Sequence, residues 1–229
     1  MNGINSLADL KPGDIGITKM GGLVPGFFPV GVGQWLCKEN FRVGPFRADH
    51  VLICVEAGDY ATPAGQGVTP ARAVQAMPRG AEEIALTSAK HWTDGVVWFR
   101  LQEDYPGQAE DAAAIARLFV SEKVPYSFLS YLALAAWSRG LKAERLERWI
   151  DRTHMYEDFD WPSTGCPAEI DLPREAICSV LVDQCWSLAG KRVITGVARQ
   201  CVTPGKMAIQ LNSRPGVLRA GPGFMAEMP

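Results

Sequence analysis

Asp49-His50-Val51-Leu52-Ile53-Cys54-Val55-Glu56 is the stretch that decides the fold, and Ile177-Cys178-Ser179-Val180-Leu181-Val182 is the one that suggests a chemistry. The first is nearly continuous in Val, Leu, Ile and Cys, which predicts a strand over Arg47–Glu56 buried on both faces. Period two puts His50, Leu52, Cys54 and Glu56 on one face and Val51, Ile53 and Val55 on the other. In the second stretch Cys178, Leu181, Val182, Cys185, Trp186 and Ala189 recur at helical spacing as a single inward stripe, with Gly190 as the terminator. Cys178 then opens a helix, where the dipole and the unpaired N–H groups favour a thiolate and could serve an oxyanion. An imidazole is the usual group that takes a thiol proton. Here the histidine precedes the cysteine in the chain.

Outward from these stretches the chain is rich first in strands and then in helices. Leu10-Lys11-Pro12-Gly13-Asp14 is a turn feeding a strand over 15–20. An irregular Gly/Pro segment (21–29) and a short helix (32–40) follow. Further strands are expected at 71–77, 83–87 and 95–101, and short connections argue for an antiparallel meander or a barrel. Helical character takes over at 108–122, 125–137 and 141–152, and a polar aromatic loop covers 153–171. The fold class expected is α+β, an antiparallel sheet or partial barrel packed against helices. One domain would span 1–213, with a helical insertion near 137–171 and a flexible tail over 214–229.

The composition is ordinary for a globular protein: 229 residues, 47% hydrophobic, 21% charged, net charge -2. Dispersed Lys and Arg exclude the basic field of a nucleic-acid binder. No run approaches the roughly 18 apolar residues of a membrane span, and the start lacks the basic and apolar regions of a signal peptide. A cytoplasmic setting is the default expectation. Cysteines 37, 54, 166, 178, 185 and 201 have no zinc-like spacing and read as reduced, mostly core thiols. Each candidate also has a plain structural alternative: Cys178 a core cysteine, His50 a satisfied strand histidine, His91 and His154 surface residues. Cys166 is the rival nucleophile.

Six segments, in order, resemble the permuted NlpC/P60 (YiiX-like) branch of papain-like cysteine hydrolases. Leu10-Lys-Pro-Gly-Asp14-Ile resembles the "pGDi" opening and Asp49-His50-Val-Leu-Ile the "sHvgi" histidine strand. Val74-Gln75-Ala76-Met-Pro-Arg-Gly is similar to "vieA-p-G", and Val124-Pro-Tyr126-Ser-Phe-Leu to "pYdfl". Ile177-Cys178-Ser179-Val resembles "fvCSelv", and Val202-Thr-Pro-Gly-Lys-Met the closing "vtPgdl". Together they span positions 10 to 207. In this family the papain-like fold is circularly permuted, which accounts for a histidine strand ahead of a cysteine helix.

The resemblance implies a thiol hydrolase that cleaves an amide or ester through an acyl-thioester, without cofactor or metal. Cys178 would be the nucleophile, His50 the general base and Gln75 the residue orienting the imidazole. Tyr126 and Ser179 would serve substrate or oxyanion binding. Two departures stand out: Gln75 is neutral where the family is often acidic, and Asp49 replaces a small residue. A neutral amide still fixes the ring's tautomer, though it stabilises an imidazolium less. Glu56 is the poorer orienting candidate, with a structural salt bridge as its expected fate. Substrates implied are cell-wall peptide amides or lipid-linked acyl groups, and a cell-wall role would call for lysis or carriage on a phage particle. The alternative is a non-catalytic binding or assembly module on the same fold. A metal site using His50 with a cysteine is a third reading, against which the missing ligand spacing counts.

Overall fold

A computed structural model of the chain describes residues 4, 6–18, 42–43, 46–47, 50–59, 69–86, 96–127, 136, 141, 172–173, 175–195 and 202–220. The strands are β1 (Ile15–Thr18), β2 (Arg42–Val43), β3 (Phe46–Arg47), β4 (His50–Glu56), β5 (Arg72–Met77), β6 (Gly80–Ala85), β7 (Val96–Arg100) and β8 (Leu218–Ala220). The helices are α1 (Gln108–Ser121), α2 (Cys178–Leu188) and α3 (Pro204–Ser213). The fold is α+β. Six strands form one antiparallel sheet in the order β6-β5-β4-β1-β7-β8, and β2 pairs with β3 separately. It is not a simple meander, because β1 enters the middle between β4 and β7. The expected helices at 32–40, 125–137 and 141–152, the loop at 153–171, and Cys37, His91, His154, Cys166 and Cys201 lie wholly or almost wholly outside the described residues.

Both faces of β4 are buried, as its composition predicts, and its alternation divides the core in two. Val51, Ile53, Val55, Val74 and Phe99 pack beneath the three helices with Cys178, Trp186 and Phe119. Leu52, Cys54, Ala73 and Trp98 pack on the other face with Ile4, Leu7 and Leu10. Glu56 departs from the expected face. An irregularity in register between Cys54 and Glu56 turns its carboxylate to Arg117 of α1, at 2.5 Å. An extra residue in one strand reverses the alternation beyond it. The salt bridge itself is as expected.

Two other expectations change. The strand placed at 83–87 begins at Gly80, because Pro78 and Arg79 make a two-residue turn and Met77 pairs directly with Gly80. Gly80 has φ +112, and a Cβ there would sit 3.0 Å from the Val124 carbonyl oxygen. The tail is not loose from 214 onward: β8 adds to the sheet beside β7, with Phe99 opposite Arg219.

The turn before β1 ties the layers together. Gly13 (φ +85) donates its N–H to Cys54 O at 2.8 Å and accepts from Trp186 Nε1 at 3.1 Å. A Cβ on it would lie 2.6 Å from that of Ala109 in α1. Asp14, buried, takes a two-point contact from Arg100 at 2.8 and 2.6 Å and a third bond from Lys11 N at 2.8 Å. Fork-shaped recognition of this kind restrains direction as well as distance.

Candidate active site

α2 is more deeply enclosed than a single stripe requires, since every residue from Cys178 to Trp186 is buried. It is a central helix walled by the sheet, α1 and α3. It ends as Gly190 predicts: Gly190 N bonds to Ser187 O at 3.0 Å and Lys191 N to Trp186 O at 2.8 Å, with Gly190 at φ +83. These paired bonds satisfy the last carbonyls of the helix. Its N-terminus has no side-chain cap, so its first amides are not taken by a capping side chain.

Two anchors fix which end of the sheet Cys178 approaches. Trp186 is tied through Gly13 to Cys54. The helix from Cys178 to Trp186 is about 12 Å long and the strand from His50 to Cys54 about 13 Å. Upstream of Cys178, Ala176 bridges Tyr126 in parallel register, and Val124 O accepts from Ala81 N at 2.9 Å beside the β5–β6 turn. That turn lies at the His50 end of β4, because Gln75 pairs with Leu52 and the strands run antiparallel. Cys178, Tyr126, Gln75 and His50 therefore gather at one end of the sheet.

Within this gathering His50 and Gln75 meet directly. His50, fully buried, lies with Nε2 2.8 Å from Gln75 Oε1. Gln75 Nε2 in turn donates to Glu82 Oε1 at 2.8 Å. The carboxylate accepts only, so it fixes the amide with its oxygen toward the ring. His50 Nε2 consequently carries the proton, and the lone pair of the neutral ring is on Nδ1. By alternation His50 and Gln75 share the face of Leu52, whereas Cys178 packs with the Val51 and Ile53 cluster. His50 and Cys178 thus share an end of the sheet, with His50 on the face away from the flank of α2.

Tyr126 lies near enough to Cys178 for a charge on the thiol to be felt at the phenol. Burial lifts the Tyr126 phenol well above its ordinary range, and the charge of a Cys178 thiolate lifts it further. The hydroxyl oxygen is buried and has no hydrogen-bond partner among the described residues. It is a protonated donor with its bond unspent. Ser179 stands differently: its hydroxyl donates to Val202 O at 2.9 Å inside the core. That bond joins α2 to the segment before α3, where Thr203 Oγ1 caps Lys206 N at 3.3 Å. What Ser179 can offer an oxyanion is its backbone N–H.

The other described cysteines are buried. Burial, and then the charge of Asp14, push the Cys54 thiol up to about 12. Burial also holds Cys185 well above the ordinary thiol range. Among the described residues no three His, Cys, Asp or Glu side chains are grouped to hold a metal ion, and no helix is long and apolar enough to cross a membrane. Sequence reading missed Glu82. The signal was the Met77-Pro78-Arg79-Gly80 turn, since a two-residue hairpin there sets Gln75 directly opposite Glu82. Compared with known proteins, the chain matches no family model, no curated protein and no solved structure.

Proposed function

We propose that the protein is a thiol hydrolase of the permuted papain-like (NlpC/P60) type, cleaving an amide or ester through an acyl-thioester. The observation that carries this reading is the buried His50–Gln75 bond, which leaves Nδ1 as the basic nitrogen at the sheet end where α2 begins. His50 Nδ1 takes the Cys178 thiol proton, and the thiolate attacks the substrate carbonyl carbon. The Tyr126 hydroxyl and the first amides of α2 donate to the developing oxyanion. The tetrahedral adduct collapses as the His50 imidazolium gives its proton to the leaving amine or alcohol. Water, deprotonated by His50, then attacks the thioester, and Cys178 leaves as thiolate before recovering the proton. Cell-wall peptide amides and lipid-linked acyl groups are the substrate classes that the family resemblance suggests.

A non-catalytic module on the same fold is the second reading, and the alternation of β4 favours it by setting His50 on the face away from the flank of α2. Iodoacetamide alkylation, mapped by peptide mass and followed against pH, separates the two. The hydrolase reading expects Cys178 to react fastest, with an apparent pKa well below the roughly 8.5 of a free thiol. It also expects that advantage to vanish in His50→Ala. A Cys178 rate indifferent to His50 overturns it. Where a substrate turns over, Cys178→Ala must abolish hydrolysis while keeping the wild-type circular dichroism spectrum.

A further inference from the structure

Gln75 is neutral, yet its amide is held between a ring and a carboxylate. We infer that Glu82 is a positioning residue for His50, acting through Gln75 in a three-member chain, imidazole to amide to carboxylate. The inference rests on the thiol-hydrolase reading for its purpose, though not for its geometry. Each link is 2.8 Å: His50 Nε2–H to Gln75 Oε1, and Gln75 Nε2–H to Glu82 Oε1. The chain runs across adjacent strands, because Gln75 pairs with Leu52 of β4 and with Glu82 of β6.

Two consequences follow physically. Glu82 sets the direction of the amide. Without an acceptor at its nitrogen, Gln75 can turn over and present N–H to His50 Nε2, which would move the ring proton to Nδ1 and remove the base. Glu82 also polarises the amide, since hydrogen bonds in series strengthen one another where water is scarce. The Gln75 oxygen becomes a better acceptor, and the imidazolium gains a negative charge one residue removed. The negative charge that a carboxylate at position 75 would bring is thus present, displaced by one strand.

Among the described residues the other carboxylates near the sheet are engaged elsewhere. On β6 the next carboxylate, Glu83, is bound by Arg72 and Arg117. On β4 Glu56 is bound by Arg117 of α1, and before β1 Asp14 is bound by Arg100 of β7 at the far end of the sheet. On α2 Asp183 accepts from Ile194 N at 3.1 Å. At the near end of α2, among the described residues, stand Cys178, Tyr126 and Glu175, whose carboxylate accepts from the Ser127 hydroxyl.

The test reads His50 itself, by NMR of the ring carbons in the full chain with histidine labelled, assigned by a His50→Asn control. Glu82→Gln, which keeps an acceptor and removes the charge, should lower the His50 pKa by about one unit. Glu82→Leu should in addition shift the neutral ring toward the Nδ1–H tautomer and slow Cys178 alkylation. The exchange Gln75→Glu with Glu82→Gln keeps both hydrogen bonds and moves the charge one strand closer. It should restore the His50 pKa to the wild-type value or above, which a merely structural role for Glu82 does not predict. An unchanged pKa and tautomer in Glu82→Gln and Glu82→Leu, in proteins that retain the wild-type fold, overturns the relay. If those shifts occur while Cys178 reactivity ignores His50, the relay stands and the hydrolase reading falls.

Discussion

Replacing Gly13 with alanine tests the joint that sets α2 against the sheet. Two costs separate there. An alanine at φ +85 adopts a left-handed conformation disfavoured by roughly 1–2 kcal/mol, partly offset because alanine restricts the unfolded chain. Its Cβ would also lie 2.6 Å from Ala109 Cβ and 2.9 Å from Ala109 Cα, so a helix backbone, rather than a flexible side-chain end, must give way. Overpacking of that kind costs about 1–3 kcal/mol. The sum is about 2–4 kcal/mol, or a fall in Tm of roughly 4–16 °C for a chain of this size. Gly107 supplies the control: its φ is +89, and a Cβ there meets nothing within 4 Å. Gly107→Ala should show the backbone cost alone, about 1 kcal/mol. Urea unfolding of both variants, compared at constant m-value, reads the difference directly. Equal losses at the two positions would refute the proposed close approach of the turn to α1. Because Gly13 O also holds Trp186, the Gly13 variant should perturb Cys178 reactivity as well, and Gly107→Ala should not.

Tyr126→Phe removes a buried hydroxyl that has no partner among the described residues, so stability by urea unfolding should hold or rise slightly. If Tyr126 donates to the oxyanion, kcat of that variant falls about 100-fold or more; unchanged kcat removes it from the mechanism. Cys54, with its thiol pushed up to about 12, should resist iodoacetamide at pH 8 in the native protein and react on unfolding; rapid native labelling would contradict its burial. For Glu83, burial raises the carboxyl pKa, but bonds from Arg72 and Arg117 outweigh it and hold the pKa below the ordinary 4.5. That stabilisation is present above 4.5 and is lost as pH falls through the depressed folded value. Arg117→Ala should therefore flatten the acid limb of the stability profile by up to about 1 kcal/mol, a small effect because the arginine is 44% exposed. An acid limb identical to wild type would show that the pair contributes nothing.

The sequence alone determined the elements whose local signals are strong. The apolar run of β4, the stripe of α2 with its Gly190 terminator, and α1 are legible because burial and capping are encoded within a few residues. It also singled out His50, Gln75, Tyr126 and Cys178 as candidates, through segments that resemble a known family. It could not decide which pairs meet. Ser179 looked available for an oxyanion until the Val202 carbonyl claimed its hydroxyl. Glu56 changed face through one irregularity in register, and β8 joined the sheet from a segment with the Gly and Pro of a loose tail. Glu82 entered the candidate site only through cross-strand register. These are decided by the tertiary structure because strand pairing, bulges and long-range hydrogen bonds depend on partners distant in the chain, which no local period records.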